Sequence, residues 1–475
     1  GLTIAEPLQN APPMLAFTTV ALGGFRGLIS NFLWIRANDL QQDDKFFEAA
    51  QLASWITDLE PHFSQVWAYQ GWNMAYNISV KFKDFSDRWR WVNNGIELLR
   101  DNALRYNPDD VLIYRELSWF FQHKMGQNLD DANLYYKEQW AIAMSGFFGL
   151  DGTNIVDLLE PGNTNAIVLR EKYKLDPAFI KKVNDQYGPL DWRLPESHAI
   201  YWAMMGLAKA DEHPDKIKKD DPMMLRREVF QSMQEAFRHG RIISNPFNEG
   251  AELAPNLDII PKVNDAYLQM MAESSAGDSN HVANAGYKNF LRDAVYFLWE
   301  NNRLPEARKW FKYLGERYSD RPILENDPTS LPKNLTLDDY AFARVQQDVG
   351  ETSQERITAV IQGMILLGYL DLVIGQNNRA AGYQMKAQLI YDRYQQKWAK
   401  DMERLQLPPM DKLKREVLND MLDPKNDRIP FAGRAVLRTQ LGLPAETTNS
   451  VAPFAMSTNM APPTASNTNG VKQTH

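Results

Sequence analysis

The side chains equipped for chemistry are few and scattered. Adjacent carboxylates stand at Asp109 with Asp110 and at Asp220 with Asp221. A general acid working with a general base needs two such groups facing each other across a cleft. Neighbours in a single turn instead suit helix capping, because a carboxylate accepts hydrogen bonds from the free N–H groups of a first turn. The seven histidines include no pair at the i,i+3 or i,i+4 spacing that sets two imidazoles on one side of a metal ion. His123 and His198 fall within predicted helices and read as packed or capping residues. No cysteine is present, which removes thiolate ligands, cysteine nucleophiles and disulfides together. Gly146 to Gly152, GFFGLDG, has glycines but two phenylalanines and no following lysine, so it does not read as a phosphate cradle. HExxH, GxSxG and the phosphate- and dinucleotide-binding fingerprints are absent. The expectation is a protein without catalytic residues, metal or cofactor.

Aromatic side chains are the richer resource, with 13 tryptophans and 19 tyrosines. In HFSQVWAYQGWNMAYN, His62 to Asn77, Trp67 and Trp72 lie five residues apart, so on a helix they point about 140° apart. The same offset separates Tyr114 from Trp119 and Leu291 from Tyr296, whereas Trp202 is followed at that distance by Leu207. If Trp67, Tyr114 and Leu291 anchor the core, then Trp72, Trp119 and Tyr296 face a common wall. Tyr76, Arg115, His123, Arg292 and Trp299 neighbour them. Flat aromatic rings and arginine are the residue types that dominate interface energetics. The competing expectation is that the rings fill their own groove and belong to the core.

The elements that must position these residues are helical, because from Phe46 onward the apolar spacing follows a helix and β-branched alternating runs are scarce. Pro61 closes AAQLASWITDLEP; Trp67 follows six residues later and Gly71 four beyond that. Pro108 is followed by Tyr114 at the same offset, then by Leu117 and Ser118. SHAIYWAMMGLAKA repeats the four-residue step with Trp202 and Gly206, and REVFQSMQEAFRHGRIISNP is expected to be its second helix, closing at Pro246. NNRLPEARKWFKYLGERY places Ala307 and Phe311 at A-x3-F spacing, and NNRAAGYQMKAQLIYDRY, Asn377 to Tyr394, begins and ends alike. These patterns resemble the tetratricopeptide repeat, W-x2-L-G-x2-Y then A-x3-F then proline. The resemblance implies an all-α fold, a right-handed α-solenoid of helical hairpins with irregular insertions. It departs from the family in spacing, since Pro61 and Pro108 are 47 residues apart against a usual period of about 34.

The expected organisation is a docking helix region over 1–45, helical hairpins over 46–130, an irregular insertion over 131–195 and a further hairpin over 196–250. A connector follows over 251–285, then hairpins over 286–406, a helical segment over 407–444 and a disordered tail over 445–475. Near the start, Met14 to Phe25 and Gly27 to Ile35 are apolar but each too short to span a membrane. Leu22, Phe25, Ile29, Phe32 and Leu33 share one helical face, which reads as a docked or a membrane-surface helix. The chain begins at Gly1 rather than methionine, as a processed product would, so membrane association through a missing N-terminal anchor is part of the expectation. Lys and Arg number 52 against 60 Asp and Glu, and the basic patches Lys216 to Lys219 and Lys412 to Arg415 are short, which argues against nucleic acid as a partner. The function expected is a noncatalytic scaffold of a bacterial cell-envelope assembly that binds a protein partner in an aromatic groove. The alternatives are a cytoplasmic location, and a glycan-binding or glycan-processing protein that stacks sugars on Trp72, Trp119 and Tyr296.

Overall fold

Prolines and glycines decide where these helices begin and how near they lie. The computed structural model describes residues 26–43, 45–214, 220–245, 251–273, 279–325, 327–349, 354–398, 407–426 and 428–446. Met14 to Phe25, including Leu22, lies outside these residues, as do the lysines of 216–219, Pro246 and the expected tail beyond 446. The chain is mostly helical and belongs to the all-α class.

Helices α1 (Arg26–Gln42) and α2 (Phe46–Leu59) fold against each other. Leu33 and Trp34 pack on Ala53, Ile56 and Val66. Phe32, expected on the docked face, is 69% exposed, because Leu33 and Trp34 turn inward instead. Helix α3 (Ser64–Trp72) runs on through a wider π turn, Asn73–Ile78. Helix α4 (Phe85–Glu97) starts at Asp84, whose side chain accepts from the Ser86 N–H, and it too widens, over Leu98–Ala103. Helix α5 (Val111–Trp119) starts at Asp110 and passes into a third π turn, Phe120–Met125.

Close approach explains the small residues. A Cβ on Gly95 of α4 would lie 2.9 Å from the Gly71 carbonyl oxygen of α3, so these two backbones touch. Ser118, the counterpart of Gly71 in α5, is fully buried and donates its hydroxyl to the Ala199 carbonyl at 2.9 Å. Gly206 keeps helix α9 (Pro195–Glu212) against α5 and α10 (Asp221–His239), since a Cβ there would sit 3.0 Å from both Tyr114 and Leu225.

Between these helices, the stretch read as irregular holds α6 (Asn133–Phe148), α7 (Thr164–Lys172) and α8 (Pro177–Tyr187). Its turn residues separate short helices rather than preventing them. The glycine loop GFFGLDG serves packing: a Cβ on Gly152 would fall 1.9 Å from Asp191 Oδ1, and the Gly152 carbonyl accepts from the Trp192 N–H at 2.8 Å. Asp191 and Arg193 form a buried, two-pronged ion pair, Nη2 to Oδ2 at 2.6 Å and Nε to Oδ1 at 2.8 Å. Arg193 also donates to the carbonyls of Leu150 and Ile242, and Asp191 accepts from the Ile242 N–H.

That pair accounts for a departure from the expected helix ending at Pro246. Helix α10 stops at His239, and Gly240 follows where a Cβ would strike the Ala236 carbonyl. The β-branched Ile242 and Ile243 then enter strand β1 (Arg241–Ser244), antiparallel to β2 (Ala251–Ala254) with Arg241 opposite Ala254.

The second half contains α11 (Ile260–Glu273), α12 (Ser279–Glu300), α13 (Leu304–Arg317), α14 (Leu337–Val349), α15 (Gln354–Val373), α16 (Asn377–Trp398), α17 (Met410–Leu422) and α18 (Phe431–Gln440). Pairs α12 with α13 and α15 with α16 are joined by tight turns in which Asn302 and Gly375 take positive φ. Ala307 is fully buried, and Phe311 packs on Tyr340 at 5.7 Å between ring centroids.

Two glycine substitutions should diverge in sign. Gly95→Ala forces a methyl group onto a backbone carbonyl and is expected to cost about 1–3 kcal/mol. Gly363→Ala, inside α15 where a Cβ meets nothing within 4 Å, is expected to gain about 0.5–1 kcal/mol. Urea unfolding midpoints of the two variants measure both.

Candidate functional site

The site starts from a repeated anchor. In α3 the Trp67 indole N–H donates to the Pro61 carbonyl at 2.9 Å, and in α5 the Tyr114 hydroxyl donates to the Pro108 carbonyl at 2.6 Å. Both rings are buried. Each anchor therefore fixes the rotation of its helix relative to the turn before it. Five residues on, Trp72 and Trp119 emerge at the last regular position, and a π turn follows each.

On a regular helix, residues four apart are offset by about 40°; a wider turn brings i+4 back toward i. Trp72 stacks on Tyr76 with centroids 5.4 Å apart, and Trp119 stacks on His123 at 4.3 Å with planes 11° apart. The Tyr76 hydroxyl and His123 Nδ1 are 3.1 Å apart, which joins the two stacks into one line of rings. Burial, then the charge of Glu116, pushes Tyr76 well above the usual phenol range, so it stays neutral. Burial, then Lys124, pushes His123 below the usual imidazole range.

This wall closes one side of a 530 Å³ cleft whose other side is the Met224, Arg227, Glu228 and Gln231 face of α10. The cleft adjoins a second cavity of 610 Å³ at Arg115 and Met224, and that cavity is lined by Ser64, Gln65, Pro108 and the acids Asp109, Asp110, Asp220 and Asp221. Together they form a trough along α3, α5 and α10. Trp72 is 37% exposed at its edge.

Two carboxylates lie in the cleft. Burial raises Glu116, against the Arg115 guanidinium 3.5 Å away. Glu228 is pushed up to about 7 by burial and then by the charge of Glu116, with Arg115 and Arg227 opposing. Only 6% of Glu228 is exposed, and its Oε2 has no hydrogen-bond partner in the protein. Arg115 is shared, since it is also 3.5 Å from Asp221. Desolvation wins because neither guanidinium is committed to Glu228.

Trp72, Tyr76, Arg115, Trp119 and His123 are thus brought together, while Arg292, Tyr296 and Trp299 are not part of the trough. Arg292 is buried and pairs with Glu325 at 3.0 Å. Tyr296 is 4% exposed, stacks on Trp299 and lies under the Arg344 guanidinium and the Lys386 ammonium. Helix α12 is covered by α13, α14 and α16, so residues 140° apart both meet neighbours. The common wall expected from three offsets is formed by two. Trp202 is likewise buried, against Tyr114 and Tyr201.

Other chemistry-bearing groups have partners within the protein. Asp110 caps α5 through the Leu112 N–H. His198 is buried among Phe121, Trp140 and Trp192, bonds the Trp192 carbonyl at 2.9 Å and is pushed down to about 4 by burial. Among the described residues, Asp109, Glu212 and His213 have ligand atoms within 4.8 Å of one another. Lys209 already lies against both carboxylates, 2.7 Å from Glu212 and 3.6 Å from Asp109.

Sequence reasoning missed Glu116 and the α10 face. The available signal was Met224, Arg227, Glu228 and Gln231 at i, i+3, i+4 and i+7, a stripe polar at three of its four positions on a helix whose opposite face carries Leu225, Val229 and Met233 into the core. The chain matches no protein-family model, no curated protein and no solved structure.

The Glu228 shift has a stability consequence. Its folded value lies above the unfolded one, so the group costs nothing below about pH 4.5 and its full burial cost appears as pH rises through about 7. Glu228→Gln should match wild type in stability near pH 4.5 and exceed it by about 2 kcal/mol at pH 8, as read from denaturant unfolding at the two pH values.

Proposed function

We propose that the chain is a noncatalytic interaction scaffold that takes an extended segment of a protein partner in the trough between α3, α5 and α10. The observation that carries this reading is the continuity of the two cavities past Arg115 and Met224, edged by Trp72 and Trp119. An elongated, partly apolar channel with rigid rings and arginine along it has the composition of a peptide-docking surface. In this reading the hairpins stack as a right-handed α-solenoid of tetratricopeptide type with insertions, and the Pro61/Trp67/Gly71 and Pro108/Tyr114/Ser118 sets are its repeat anchors. The proposed setting is a larger assembly at the bacterial cell envelope. No helix among the described residues is long and apolar enough to cross a membrane.

A glycan ligand is the second reading, favoured by the unpartnered Glu228 oxygen beside Trp72 and Trp119. A sugar offers hydroxyl donors and a flat apolar face to such a site. Saturable quenching of tryptophan fluorescence by members of a carbohydrate panel would favour it, and a flat response across the panel removes it.

The partner reading is tested by Trp72→Ala combined with Trp119→Ala. Loss of defined partner bands in crosslinked native extract, with circular dichroism unchanged, is the expected outcome. Retention of every band would overturn the trough as the docking surface.

A further inference from the structure

Acidic side chains outnumber basic ones along the trough. Asp109, Asp110, Asp220 and Asp221 line one cavity and Glu116 and Glu228 the other, against Arg115 and Arg227 alone. Three of these charges are engaged from within: Lys209 and His213 approach Asp109 at 3.6 and 3.5 Å, and Arg115 approaches both Asp221 and Glu116 at 3.5 Å. Glu228 differs from them in its burial. Its carboxylate is more than nine-tenths buried, lies in the wall of the cleft and keeps one oxygen without a protein partner. A buried carboxylate with no committed cation is costly, and Glu228 lines the cleft, where a charged donor can approach it. Trp72 and Trp119 flank that point, and an aromatic face attracts a cation.

We propose that the trough receives a basic extended segment of the protein partner, one of whose guanidinium or ammonium groups enters the cleft beside Trp72 and Trp119 and donates to Glu228. This rests on the reading of the trough as a partner site and names the chemistry of the occupant. Arg227 lines the same cleft without a hydrogen bond to Glu228, and Arg115 is divided between Glu116 and Asp221. Neither resident cation takes the place of the incoming one. Cation entry also has a definite pH sign. Glu228 faces Arg115 and Glu116 on α5 and has Arg227 beside it on α10, and burial raises both carboxylates. Binding therefore strengthens as pH rises from 6 to 8 and Glu228 ionises.

The test uses the full chain and three fluorescein-labelled unstructured peptides of equal length, an arginine–glycine, a lysine–glycine and a glutamate–glycine repeat, followed by anisotropy at low salt. The arginine and lysine peptides should bind, several-fold more tightly at pH 8 than at pH 6, and the glutamate peptide should not. Glu228→Gln should weaken binding about tenfold and flatten the pH dependence. Glu160→Gln with Glu171→Gln removes two exposed charges outside the trough and should change affinity by less than about twofold. Equal binding of the acidic peptide overturns the inference, and so does an equal loss in the remote double variant. Peptide binding abolished by Trp72→Ala with Trp119→Ala but untouched by Glu228→Gln overturns the basic-segment inference while leaving the docking trough intact. Binding that neither change affects removes both.

Discussion

The hydrogen bond between Tyr76 and His123 is the constraint on which the trough depends. Each of those rings lies under a tryptophan of its own helix, so the bond couples the two stacks and sets the spacing of Trp72 from Trp119. The stacking geometry follows from the π turns, and the rotation of each helix follows from an aromatic donor bound to the proline carbonyl that precedes it. Burial raises Tyr76 and lowers His123, which favours the neutral form of both partners in the central bond. A rigid wall with one edge in solvent is the outcome.

The electrostatics of the cleft are decided by competition for arginine. Arg115 is about equally near Glu116 and Asp221, and a cation shared between two anions stabilises each less than a dedicated one would. Burial of Glu228 then prevails over the favourable charges around it. The contrast is Asp191, as deeply buried but held by a two-pronged arginine and two backbone N–H groups, those of Arg193 and Ile242. One carboxylate is satisfied internally; the other is buried in the wall of the trough without a committed cation.

Much of the helical framework was legible because close packing demands particular residues. Gly71, Gly206, Trp67 and Tyr114 were identified from spacing alone, and each has the contact that its size predicts. The five-residue offset located Trp72 and Trp119 because α3 and α5 keep one side open. It misplaced Tyr296 because spacing reports direction around a helix and not what stands there; α12 has neighbours on several sides. Glu228 was hidden for a different reason: it meets Glu116 only after the chain has passed through α6, α7, α8 and α9. The π turns carry no proline or glycine signature of their own, and β1 depends on Asp191 and Arg193, some fifty residues earlier, to hold Ile242.

The Asp191 and Arg193 pair also has a mechanical meaning. It fastens the loop at Leu150 and the strand at Ile242 to a single buried point, where the chain passes from its first half to its second. A joint tied at both points resists bending, which favours a fixed mould over a jaw. Under the proposed docking function, selection of a partner would then fall to the partner's own shape and charge.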